Sequence, residues 1–211
     1  MTGVESTRLV LLRHGQTPLS VERRYSGRDD VALTELGVDQ AARAAGRLAN
    51  WPISAIVCSP LRRTRQTAEP LAAAAGLPVT VDDRLIEADF GEWEGLTFTE
   101  AAQRDPELHR EWVGDEVIAP PGGESFADAA RRVADARAAI VADHPGQTVV
   151  VVSHVTRIKS ILRDAMRVGP ELLYGLHLDL ASVSLVEFFA DGGSVGRLVN
   201  DTSHLRSYPL G

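Results

Sequence analysis

The segment Thr148–Val152 is almost wholly apolar and β-branched. A strand of that kind is stable only where both of its faces are covered, which places it in the middle of a sheet flanked by helices. Thr7–Arg13 contains a second apolar run, stopped by Gly15, and reads as another buried strand. Ala55–Cys58 and Val79–Val81 add two short strands. Helical patterns lie between them. Thr34–Asn50 opens on a capping threonine and sets Leu36, Ala41, Ala44, Ala45 and Leu48 on one face. Pro60–Gly76 carries proline in its first turn and glycine at its end. Glu124–Asp143 repeats Phe126, Ala130, Val133, Ala136 and Ile140 at helical spacing, and Thr156–Met166 resumes a helix. Arg84–Gly123 reads as loops with short helices. Val183–Phe189 and Val195–Val199, parted by Asp191-Gly192-Gly193, predict a hairpin whose free edge offers a route to a homodimer. Strands alternating with helices predict an α/β fold: a three-layer sandwich with a mostly parallel central sheet and helices on both faces. Neither a repeat nor a linker divides the chain, so one domain over residues 1–211 is expected.

Charge narrows the partners. Against 29 acidic residues stand 22 basic ones, for a net −7, which argues against nucleic acid or a membrane surface bound through bulk positive charge. Lys159 is the only lysine, so the remaining basic residues are arginines, either a coding bias or forks for carboxylate and phosphate. The lone Cys58 excludes an intramolecular disulfide and a multi-cysteine zinc site. Met1–Ser6 has no secretory pattern and no apolar run approaches membrane-spanning length, so a cytoplasmic location is expected.

In α/β sheets functional groups gather beyond the carboxyl ends of strands. His14 follows the first buried run and His154 the fourth strand, so two histidines occupy equivalent strand ends. A lone histidine would be read as structural; the pair points to a site. In Arg13-His14-Gly15 the arginine supplies a fork for phosphate oxygens and the glycine permits close approach. Ser59-Pro60-Leu61-Arg62-Arg63-Thr64-Arg65 puts arginines at a helix start that already favours anions. Arg63 is expected inside, with Arg62 and Arg65 solvated. His109, His144 and His204 read as surface residues.

With these pieces the chain resembles the histidine phosphatase superfamily of the phosphoglycerate-mutase-like type. The resemblance rests on Leu11-Leu12-Arg13-His14-Gly15-Gln16-Thr17, Ser59–Ala68, Leu85–Gly95 and Val151-Val152-Ser153-His154, in the family's order, and spans about Thr7–Asn200. It implies a covalent mechanism in which His14 attacks phosphorus and water hydrolyses the phosphohistidine. Arg13, Arg63 and His154 would hold the phosphoryl oxygens. Glu87 would protonate the leaving oxygen and later activate water, with Asp89 as second choice and Glu92 and Glu94 as solvated acids. No metal or other cofactor is implied, and a bell-shaped, acidic-to-neutral pH profile is expected. Thr17, Ser20 and Ser26 are read either as further phosphate contacts or as loop caps. Arg24 and Arg28 face either substrate or acidic neighbours. Glu124 is read as an acid of a helix-capping region, and His177 as a substrate contact or a structural residue. Many relatives carry glycine after the second histidine where this chain has Val155, whose backbone N–H can still point at phosphate.

The chain lacks the longer insertion associated with glycolytic mutases, and Ser20 stands where those usually carry asparagine. The resemblance therefore favours a phosphatase acting on a small phosphomonoester. Phe90–Glu94 and Gly123–Phe126 look like segments of alpha-ribazole phosphatases. Along nearly its whole length the chain is similar to the acid phosphatase half of actinobacterial proteins that also carry a ribonuclease H domain. A phosphoglycerate-type mutase, a phosphoprotein phosphatase and a regulatory module with a decayed site are the alternatives.

Overall fold

The computed structural model describes residues 5–206. Six strands form one sheet: β1 (Ser6–Arg13), β2 (Ile53–Cys58), β3 (Val79–Val81), β4 (Thr148–Ser153), β5 (Val183–Phe189) and β6 (Ser194–Asp201), in the order β3-β2-β4-β1-β5-β6. The ladders β2/β3, β2/β4 and β1/β4 are parallel. Those of β5 with β1 and β6 are antiparallel, so the sheet is mixed and mostly parallel. The helices are α1 (Pro18–Val21), α2 (Glu35–Leu48), α3 (Arg62–Ala75), α4 (Phe98–Arg104), α5 (Pro106–Gly114), α6 (Phe126–Asp143), α7 (Val155–Met166) and α8 (Leu172–Gly175).

Strand residues alternate between two apolar cores because successive side chains point to opposite faces. Leu9, Leu11, Val149 and Val151 pack with Val133, Ala136, Ile158 and Ile161 of α6 and α7. Val10, Leu12, Val150 and Val152 pack with Ala44, Leu48, Ala68 and Leu71 of α2 and α3. Two helical layers thus cover the sheet, and every residue of β4 is buried. A third cluster, of Phe90, Trp93, Trp112, Phe126 and neighbours, joins the irregular 84–123 segment to the edge of the sandwich.

Local chemistry adjusts several boundaries. α6 begins at Phe126 rather than Glu124 because the Ser125 side chain caps the Asp128 N–H. Its buried stripe runs through Ala129, with Ala130 only half-buried. α3 begins at Arg62, and Pro60 precedes it. Leu36, expected on the inner face of α2, is 50% exposed, and Gly37 faces inward instead. Gly15 is required by space: a Cβ there would meet the Gly37 carbonyl oxygen at 2.5 Å, where the first loop crosses α2. No helix among the described residues is long and apolar enough to cross a membrane.

Leu11 has no exposed surface and packs in the α6/α7 core. Leu11→Ala should lower unfolding stability by about 3 kcal/mol, read by urea denaturation. A loss under about 1 kcal/mol would contradict a close-packed layer on that face.

Candidate active site

The parallel register creates the site. Leu12, Val152 and Cys58 lie in one row across β1, β4 and β2. The residues that follow, Arg13-His14, Ser153-His154 and Ser59, therefore emerge side by side at the carboxyl edge. Backbone bonds lock this arrangement, with His14 N–H donating to the Ser153 carbonyl at 3.0 Å and Ser59 N–H to that of Val152 at 3.0 Å. The rings of His14 and His154 lie 5.3 Å apart between centroids.

Both imidazoles are buried, and their tautomers follow from their partners. His14 Nδ1 sits 2.8 Å from the Gly15 carbonyl, which can only accept, so the proton is on Nδ1 and Nε2 keeps its lone pair. His154 Nδ1 lies 3.2 Å from Arg63 Nε, which can only donate. The proton of His154 is therefore on Nε2, 2.7 Å from Ser59 Oγ. Burial holds both histidines well below their ordinary pKa. The neighbouring cations Arg13 and Arg63 push His14 further down, and Arg63 does so for His154.

Arg63 is fully buried, as expected, while Arg62 and Arg65 are exposed. Its guanidinium also donates to the carbonyls of Asp29 (2.6 Å), Ser26 (3.1 Å) and Gly27 (2.8 Å), tying the loop after α1 to His154. Arg13 donates from Nη1 to the Leu178 carbonyl, and its buried Nε has no partner among the described residues. Desolvation lowers Arg13 to about 10, and Glu87 and Asp179 oppose the shift.

Four carboxylates compete in the 87–94 segment, and geometry separates them. Asp89 accepts from the Gly91 N–H, Glu92 pairs with Arg104, and Glu94 accepts from the N–H groups of Gly27, Arg28 and Phe90. Glu87 alone of the four lines the cavity beside His14. It is buried and accepts from Ala88 N–H (2.8 Å), Thr156 N–H (3.3 Å) and Arg157 Nε (3.2 Å).

That cavity, about 640 Å³, is also lined by Arg13, Thr17, Ser20, Ser26, Val155 and His177. These residues differ in how free they are. Thr17 and Ser20 form a reciprocal cap on α1, in which the Ser20 hydroxyl also donates to the Thr17 carbonyl while the Thr17 hydroxyl only accepts. Ser26 Oγ is buried without a partner among the described residues. Val155 is the first residue of α7, and His177 lies at the rim, largely exposed and 3.2 Å from Asp179. Arg24 also lines the cavity, but it is paired with Glu22 and Glu100. Arg28 is held by the Glu87 carbonyl and Glu124. Glu124 is not the cap: it is ion-paired with Arg132 at 2.8 Å. His109, expected at the surface, is buried among Trp93, Phe98 and Trp112 because its helix packs into the aromatic cluster. His144 and His204 are half-buried, each hydrogen-bonded through its ring.

The motifs do not single out Arg157. It is fully buried and ion-paired with Glu87, and both terminal nitrogens lack partners among the described residues. Its signal was its place one helical turn after His154, on the same side of α7. Ser59, read only as the opening of an arginine-rich segment, is the partner that orients His154.

The chain thus belongs to the α/β class with two histidines, buried arginines and one cavity-facing glutamate gathered at the carboxyl edge of the sheet, a setting suited to an anion. Residues 9–201 match the histidine phosphatase superfamily (branch 1), and the chain belongs to that family. It is 58% identical to a bifunctional protein of Mycobacterium tuberculosis over 200 residues, 94% of this chain and 55% of that protein. The chain thus spans about half the length of that relative. It is 41% identical to the glucosyl-3-phosphoglycerate phosphatase of the same organism over 159 residues, 72% of this chain and 71% of that protein. The solved structure of YhfR from Bacillus stearothermophilus superposes with a TM-score of 0.88 at 33% identity, covering 95% of this chain and all of that one.

Arg157→Met should cost about 3–5 kcal/mol in denaturant unfolding, because it strands a buried carboxylate. The double variant with Glu87→Gln should recover most of the loss; no recovery would show that the pair is not the cause. Stability should also fall as pH drops below 6.5, the value of an unperturbed histidine. In that range the unfolded chain takes up protons at His14 and His154 that the folded chain, with both pKa values depressed, does not. Chemical denaturation at pH 7 and pH 5.5 in a phosphate-free buffer measures this, and a pH-independent midpoint would refute it.

Proposed function

We propose that the protein hydrolyses phosphomonoesters of small metabolites through a phosphohistidine at His14. The observation that carries the reading is the His14 tautomer. With the proton on Nδ1 and the pKa held down, Nε2 presents its lone pair at neutral and mildly acidic pH. Attack forms the Nε2–P bond and breaks the bond from phosphorus to the ester oxygen. Glu87 takes up the proton that the phosphomonoester monoanion brings and passes it to the departing oxygen. It then takes a proton from water, whose oxygen displaces the imidazole and releases phosphate.

Arg13 Nε and Ser26 Oγ, buried and unpartnered in or beside the cavity wall, are suited to phosphoryl oxygens. His154 can offer its Nε2–H by exchanging Ser59 for phosphate, and Arg63 keeps its ring in place. The Val155 N–H adds the start of a twelve-residue helix. Thr17 and Ser20 shape the loop, and His177 meets only the outer part of a substrate. A cavity of about 640 Å³ fits a small phosphorylated metabolite. Alpha-ribazole phosphate is one candidate, from the resemblance of Phe90–Glu94, and glucosyl-3-phosphoglycerate another, from the mycobacterial relative.

His14→Ala should reduce hydrolysis of an aryl phosphate by at least about a thousandfold and abolish the acid-labile phosphoenzyme trapped by an alkaline denaturing quench. Full activity in that variant, or a phosphoenzyme on another residue, would overturn the mechanism.

A further inference from the structure

We infer that the preferred substrates are phosphomonoesters whose alcohol carries a planar aromatic body, bound against an aromatic wall opposite the phosphate end. This rests on the phosphatase reading above and narrows it. The chain has only three Trp, three Tyr and five Phe, and six of these line the one cavity: Tyr25, Phe90, Phe98, Trp112, Phe126 and Tyr174. Five of them form a connected surface, and Phe98 joins it through the His109 ring, 4.4 Å from Phe98 and 5.5 Å from Trp112 between centroids. Tyr25 lies 4.8 Å from Phe90 and 5.8 Å from Trp112, Trp112 lies 5.0 Å from Phe126, and Phe126 lies 6.4 Å from Tyr174 between ring centroids.

Core formation explains part of this set and not the rest. Trp93 belongs to the same cluster, is fully buried and does not line the cavity. Phe98 and Tyr174 are 53% and 50% exposed, so they gain little from the fold. They come from α4 and α8, far apart in sequence, yet both border this cavity. The two tyrosine hydroxyls are also directed to protein partners. Tyr25 Oη is 3.3 Å from His109 Nε2, and Tyr174 Oη donates to the Trp112 carbonyl at 3.2 Å. What remains toward the cavity is apolar ring surface, the surface that an offset-stacked or edge-on aromatic group matches. A polyhydroxylated leaving group would lose water there without replacing its hydrogen bonds.

The test compares 2-phenylethyl phosphate with ethyl phosphate, whose leaving oxygens are of similar basicity. The expected kcat/KM ratio is at least about tenfold in favour of the aromatic ester, and Phe98→Ala or Tyr174→Ala should collapse it toward unity. Calorimetric binding of 2-phenylethylphosphonate and ethylphosphonate provides a readout without turnover, with the same order of preference expected. Hydrolysis of both esters with no preference, and equal phosphonate affinities, would overturn the inference and leave the phosphatase reading standing. Tenfold tighter binding of the aromatic phosphonate without hydrolysis of either ester would sustain the aromatic subsite and overturn the catalytic reading. A preference that survives both substitutions would place the aromatic group elsewhere and overturn the wall.

Discussion

Because Val149–Val152 are buried on both faces, β4 must have a strand on each side and a helical layer above and below. The parallel register with β1 and β2 follows, and it aligns Leu12, Val152 and Cys58 in one row. Arg13, His14, Ser59, Ser153 and His154 all stand one or two residues beyond that row. A slip of one residue in β1 would turn Leu9 and Leu11 toward the wrong core and carry His14 away from His154. The positions of the reactive side chains are thus a consequence of apolar packing, and the strands carry them on rigid elements rather than on long loops.

Beyond the strand ends, a buried guanidinium organises the loops. Arg63 holds the Ser26, Gly27 and Asp29 carbonyls and His154 together from the start of α3. A buried cation requires partners that accept on several sides, and loop carbonyls supply them without adding negative charge. The resulting centre is electropositive inside a chain of net charge −7. Two imidazoles remain neutral there because burial and adjacent arginines both disfavour their protonation. Glu87 opposes those cations and is itself held by Arg157 from α7.

How much of this was legible in the sequence depends on which force set each feature. The layers, both histidine positions and the interior placement of Arg63 were readable because each depends on local periodicity or on residues next to an apolar strand. In the 84–123 segment only the general character, loops with short helices, was readable. Its elements α4 and α5 are short; Trp112 of α5 packs on Tyr25 and Phe126, and Phe98 of α4 packs on His109, contacts that no local period records. His109 was misplaced for that reason, since its helix looks polar until Trp93, Phe98 and Trp112 close over it. Among the acids, motif position favoured Glu87, but the reason Asp89, Glu92 and Glu94 stand apart is their separate backbone and arginine partners. For Thr17 and Ser20 the sequence left phosphate contact and loop cap both open, and folding shows the cap on a four-residue helix at the cavity wall.

By itself the sequence determined an α/β sheet with β4 at its centre, two histidines at equivalent strand ends and a family membership carried by four ordered motifs. These are properties of neighbouring residues and of alternation along a strand, which the chain states directly. Tertiary structure alone decided the two imidazole tautomers, the pairing of Glu87 with Arg157, the engagement of Arg63 with loop carbonyls and the convergence of aromatic rings on one cavity wall. Each of those depends on groups brought together across the sheet from distant segments, and their energies arise from burial and mutual contact that do not exist until the chain has folded.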